Sequence, residues 1–193
     1  AHLRFLAKDL GIVRGMTTVP DEENLSPDYV ITISINNNSN AHGVEYRPNL
    51  LVAKTIAHEV IHAEMYRKLL SLANQGSLNF NNWTAQQHKD YLLSLKNNFP
   101  GIYDYYRRHK DWQHQQMAAH YRESLAELLQ EFDTGNAIPE NQTPQQFYMD
   151  LAWEGLKSSN INAWTALSQS ERDRIENVIN NYINQNKNQP CQQ

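Results

Sequence analysis

The stretch Ile56-Ala57-His58-Glu59-Val60-Ile61-His62-Ala63 decides how the rest of this chain is read. His58 and His62 stand four positions apart, which on an α-helix puts them about 40° apart on one face, within reach of a single ion. Glu59 follows the first histidine and can handle a proton rather than bind the ion. A chain of this composition produces the pattern H-E-x-x-H by chance only about 0.02 times. The apolar neighbours Ile56, Ala57, Val60 and Ile61 are expected to dry the site and stiffen its ligands. Two unliganded imidazoles in such a setting would cost free energy.

Outward from the motif, residues 51–73 read as one long helix, with Gln75-Gly76 as its stop. Upstream, Ile31, Ile33 and Ile35 alternate with polar residues, which predicts a strand over residues 29–35 with one buried face. That strand is a candidate edge above the cleft, where an extended peptide pairs with it through main-chain hydrogen bonds. Residues 1–10 read as a short helix or the tail of an upstream element, residues 19–27 as a Pro-containing acidic loop, and residues 36–42 as a polar turn leading to a second short strand. Downstream, residues 84–95, 112–132, 143–157 and 168–183 read as helices, with breaks at residues 97–101 and at Thr134-Gly135. The expected fold is therefore α+β and mainly helical, with a small N-terminal β-sheet and the HExxH motif on its first long helix. Residues 1–193 form a single domain, with 1–28 and 185–193 peripheral or partly ordered.

Composition narrows the chemistry. The chain has 193 residues, 40% hydrophobic and 20% charged, and a net charge of −4, which argues against a dedicated nucleic-acid binder. Its 22 Asn and 15 Gln explain a low mean hydropathy, and they interleave with aromatic and aliphatic residues as in a folded domain. Eight histidines stand against one cysteine, Cys191, so no disulfide framework or cysteine-based zinc module is available. Any metal must be held by imidazole and carboxylate. No apolar run is long enough to span a bilayer. The chain starts without Met and has no signal-peptide core, as a chain that has lost a leader or been trimmed does. A secreted, periplasmic or cell-surface location in a bacterium is favoured over a cytoplasmic one.

A third ligand has to come from another element. Met65 and Lys68 occupy the positions where a metzincin carries Gly and its third His, which excludes that subclass. In the 112–132 helix, His114 falls in the middle of an apolar stripe with Ala118, Tyr121, Leu125, Leu128 and Phe132. His120, Glu123 and Glu127 fall on the polar side, although either glutamate would complete a His₂Glu set. His114 is favoured. Tyr121, on the same stripe, is either an oxyanion donor or a core tyrosine. His42, His88 and His109 have no companion at ligand spacing, and Arg107-Arg108-His109-Lys110 reads as a solvated basic run. Asp133 and Asp150 are candidates to orient a metal-bound imidazole, with capping or surface roles weighed above that.

Several blocks resemble one family. Ala53-Lys54-Thr55-Ile56-Ala57 leading into the motif, Gln113-His114-Gln115-Gln116-Met117-Ala118 with Tyr121, Glu131-Phe132-Asp133, and Asp150-Leu151-Ala152-Trp153-Glu154-Gly155-Leu156 are similar to a little-characterised group of zinc metallopeptidases from Bacteroidetes bacteria. That group is loosely related to SprT-like zincins, and the likeness touches most of residues 29–157. It implies a zinc peptidase fold in which Zn²⁺ is held by His58, His62 and His114, the last matching the histidine that recurs before a Met-Ala pair. The group usually has an acid directly after that histidine, where Gln115 stands here. The expected activity is hydrolysis of a protein or peptide substrate, with Glu59 taking a proton from the attacking water and passing it to the leaving amine. Two rivals remain. One is an inactive binding module whose structural zinc has a fourth protein ligand such as Glu123. The other is a SprT-like DNA-associated protease, disfavoured by the net charge and by the lack of a cysteine zinc ribbon.

Overall fold

The computed structural model describes residues 2–18, 30–39, 42–74 and 110–187. Three strands, β1 (His2–Lys8), β2 (Gly15–Thr17) and β3 (Val30–Asn36), form one sheet in the order β1-β3-β2. β1 runs parallel to β3, from His2 opposite Val30 to Lys8 opposite Asn36. β2 runs antiparallel to it, with Gly15 opposite Ile35 and Thr17 opposite Ile33.

Two expectations change here. The first residues are an exposed edge strand of the sheet rather than a helix. The strand expected over 29–35 is present as β3, but it is central, so its backbone edges are occupied and it cannot receive a peptide. Its burial is also two-sided: Thr32 and Ser34 are buried along with Ile31 and Ile33, and Thr32 accepts a hydrogen bond from Arg4 at 3.0 Å. The 9–14 connection that carries the chain from one edge to the other is fastened by the buried side chain of Asn36. Its amide donates to the carbonyls of Gly11 at 2.9 Å and Val13 at 2.7 Å, and its oxygen accepts from Leu10 and Asn38. Gly11 turns the chain with φ 62, a left-handed value that a side chain would resist.

After β3 a 3₁₀ turn, Val44–Tyr46, stands where a second strand was expected, and it leads into α1 (Asn49–Asn74). α1 is covered on two sides. Ala63 and Tyr66 pack with Ile31 and Ile33 of the sheet, whereas Leu50, Leu51 and Ala57 join the larger helical core. Ile56 and Val60 are each 36% exposed, so the drying of the motif falls to its other neighbours.

The expected 112–132 helix is present as α2 (Lys110–Gln116), a wider π turn (Met117–Tyr121) and α3 (Arg122–Thr134). Gly135, at φ 68, caps it and donates its N–H to the Glu131 carbonyl. The π turn holds an extra residue and rotates everything after it. Leu125, expected on the buried stripe, is buried, but Leu128 and Phe132 are 43% and 58% exposed, and Ala126 and Leu129 are buried instead. α4 (Gln146–Leu151) is shorter than the 143–157 expected, because turns follow it up to Gly155 at φ 83. A short α5 (Asn162–Thr165) was not legible in the sequence.

α6 (Gln169–Asn186) begins at a capping box, where Glu171 N–H donates to Ser168 Oγ at 3.2 Å and Ser168 N–H donates back to Glu171 Oε2 at 3.0 Å. Such a cap is worth about 1 kcal/mol. Gln185 and Asn186 are the last two residues of this helix. The main core is built on Met117, Leu125, Leu129, Leu151, Leu156 and Ile161, and each large side chain contributes about 1.5–3 kcal/mol. The expected helix over 84–95 and the stops at Gln75-Gly76 and 97–101 lie outside the described residues. Among the described residues, no helix is long and apolar enough to cross a membrane.

Candidate metal centre

The local helix geometry of α1 stacks His58 and His62 one turn apart, and α2 brings His114 across to meet them. His58 Nε2 lies 3.1 Å from His62 Nε2 and 3.3 Å from His114 Nε2. The ring centroids are 4.9, 5.2 and 5.4 Å apart, so three imidazoles face one point. These three residues are close enough to hold a metal ion, and among the described residues they are the one such group of histidines, cysteines and carboxylates. His120 and Glu123 are exposed and Glu127 is half-buried, all outside it.

Burial tunes His58 and His62. Desolvation holds His58 well below its ordinary value, with the charges of Lys54, His62 and His114 adding to the effect. His62 is lowered to about 4, chiefly by desolvation, against an opposing hydrogen-bond contribution from Gln113. Both rings are therefore neutral near pH 7, the form that binds metal. Gln113 also donates to Tyr66 Oη at 3.3 Å, which links α2 to the sheet side of α1. Gln115, placed where the similar group has an acid, donates to Asn160 O at 2.5 Å and accepts from Asn162 N–H at 2.8 Å. It ties α2 to the start of α5.

Glu59 is buried against β2. Thr17 Oγ1 lies 2.7 Å from its Oε2 and 2.9 Å from its backbone carbonyl. A Cβ on Gly15 would come within 2.9 Å of both Glu59 Cγ and Thr55 Cγ2, so only glycine lets the strand approach this closely. Burial pushes the Glu59 carboxyl up, while the Thr17 hydrogen bonds and the Lys54 charge pull against it.

Behind His58 sits a charge cluster that the motif reading missed. Lys54, one turn earlier on α1, places Nζ 3.4 Å from His58 Nδ1 and donates to the Glu154 carbonyl. The buried Glu154 carboxylate faces Lys54 Nζ at 3.6 Å and Arg47 at 3.3 Å, and pairs with Arg14 as well. Desolvation, reinforced by neighbouring cations, lowers Lys54 to about 7 and Arg47 to about 9. The sequence signal was present in Lys54, a cation one turn from the motif on a helix with two buried sides. Its partner, 100 residues away, was not marked.

Other candidates fall elsewhere. Tyr121 is half-buried and packs against the main core at the end of the π turn. Asp150 is gripped by Arg174 and by Gln146, and Asp133 accepts from Tyr148 Oη at 2.7 Å, so both serve the helical packing. His42 is half-buried in the turn before α1, and His88 and His109 lie outside the described residues. Compared with known proteins, the chain matches no family model, no curated protein and no solved structure.

Proposed function

We propose that this chain is a zinc-dependent metallopeptidase of zincin-like fold, with His58, His62 and His114 as ligands and Glu59 as the general base. The support is one geometric fact: three imidazoles converge on one point, two of them from a helix whose buried Glu59 directly follows the first. Tetrahedral zinc with Zn–N bonds of about 2.0–2.1 Å needs nitrogens about 3.3–3.4 Å apart. The two separations from His58 are 3.1 and 3.3 Å, close to that requirement. An all-imidazole donor set suits zinc, and a set of three leaves one position open, as hydrolytic sites require and structural sites do not. That count, made among the described residues, favours an enzyme over a binding module.

Zinc held there would supply Lewis acidity and make hydroxide available near neutral pH. Glu59 receives the proton of the attacking water and delivers it to the leaving amine. For the developing oxyanion the candidate is Tyr121, whose ring packs against the main core and whose role the phenylalanine variant tests. The peptide takes an extended form on the outer edge of β2, which is unpaired among the described residues and replaces β3 in that role because β2 is the edge strand in contact with α1.

Metal analysis and hydrolysis of labelled casein test this reading. The parent should carry one zinc per chain and cleave. Glu59→Gln should keep the zinc and lose cleavage by a factor of about 100 or more. His114→Ala should lose the zinc. Undiminished cleavage in Glu59→Gln removes the assignment.

A further inference from the structure

We propose that Thr17 is a positioning residue for Glu59, and that a peptide paired on β2 acts on the base through it. The inference rests on the peptidase reading above and concerns how substrate docking and base orientation are joined. In the antiparallel β2–β3 pair, Asn36 N–H donates to Arg14 O and Thr18 N–H donates to Thr32 O. Antiparallel hydrogen bonds alternate along a strand, so residues 14, 16 and 18 turn their backbone groups towards β3, and Gly15 and Thr17 turn theirs to the outer edge. Among the described residues no strand lies on that edge. Gly15 and Thr17 are also the β2 residues that touch Glu59, one through the space where a Cβ would be and one through its hydroxyl. The two groups a docked peptide would bond are thus the two that bear on the base.

The Thr17 hydroxyl has one proton for two acceptors of the same residue. The shorter contact, to Oε2, is the charge-assisted one when Glu59 is ionised. By holding Oε2, Thr17 fixes the orientation of the carboxylate and leaves its other oxygen to exchange the proton, which is what preorganisation requires. Anchoring by both ends of one residue also fixes the side chain relative to the helix that carries the ligands.

The test compares Thr17→Val, which keeps shape and removes the hydroxyl, with Thr17→Ser, which keeps the hydroxyl. Zinc content, kcat and KM are measured on labelled casein, alongside Glu59→Gln and the Thr17→Val/Glu59→Gln double variant. Thr17→Val should lower kcat about tenfold or more, with KM within about twofold and zinc unchanged. Thr17→Ser should recover the lost turnover, and the double variant should be no slower than Glu59→Gln alone. Parent-like kcat in Thr17→Val, failure of Thr17→Ser to recover it, or a loss confined to KM overturns the proposal. Thermal unfolding of the same four proteins gives a readout independent of activity. Coupling between the two sites in a parent that does not cleave sinks the peptidase reading, and the positioning role with it. No coupling in a parent that does cleave sinks the positioning role alone.

Discussion

Glu154→Gln probes what stands behind His58. The Glu154 carboxylate is buried and serves Arg14, Arg47 and Lys54, and the last two are themselves only 5% and 2% exposed. An amide of the same shape removes the negative charge and leaves these cations facing one another out of water. Removing one partner of a buried pair costs about 3–5 kcal/mol. Lys54 softens the loss, because burial has already lowered it from 10.5 to about 7 and it can release its proton near neutral pH. The lower end, about 3 kcal/mol, is the expected cost. At about 2–4 °C per kcal/mol for a domain of this size, Tm should fall by about 6–12 °C.

The pH dependence has a definite sign. A lysine whose pKa is lower in the folded than in the unfolded state penalises folding while it is charged. Stability therefore rises as pH climbs from about 7 towards 10.5, where the unfolded chain still holds the proton. Without Glu154 the penalty for charging Lys54 grows, so the deficit should be largest at about pH 6 and smaller at about pH 9. Circular-dichroism melts of parent and variant with a chelator present, at both pH values, measure it. A Tm within about 1 °C of the parent, or a deficit identical at the two pH values, refutes Glu154 as the counter-charge of this cluster.

Three further outcomes follow from the geometry. Gly15→Ala should cost about 1–3 kcal/mol, because its methyl meets Glu59 and Thr55 at 2.9 Å, and kcat should fall further than stability; a parent-like kcat and Tm would show that β2 yields freely. The metal-free protein should lose stability as pH drops from 6.5, where the unfolded imidazole charges, towards about 4, where folded His62 does. Zinc should suppress that loss, and a flat metal-free profile over this window contradicts the burial of His62. Tyr121→Phe keeps the ring in the core, so a fall in kcat of about tenfold or more at unchanged Tm supports the oxyanion role, and unchanged kcat leaves the ring to packing alone.

The parts of the site that were legible in the sequence are those set by helix periodicity. Four-residue spacing aligns His58 with His62 wherever a helix forms, and His114 follows from the stripe it shares with Ala118 and Leu125, which are buried. The same phase reasoning failed at Leu128 and Phe132. The π turn lies between them and His114, and one added residue rotates the register without leaving a mark in composition. The β3 strand was found from its alternating isoleucines, but its central position was not, because alternation reports side-chain faces and says nothing of which backbone edges are paired.

By itself, the sequence determined the local geometry of the α1 motif: imidazoles at helical spacing with a glutamate directly after the first of them. Tertiary structure decided what that motif faces. It placed His114 within reach, laid β2 against Glu59 with Gly15 and Thr17 as the contact, and buried Lys54 and Arg47 on Glu154 behind His58. The difference is physical. Spacing along a helix is a short-range property of the backbone, whereas these contacts join residues 42 to 107 positions apart, and only packing brings them together.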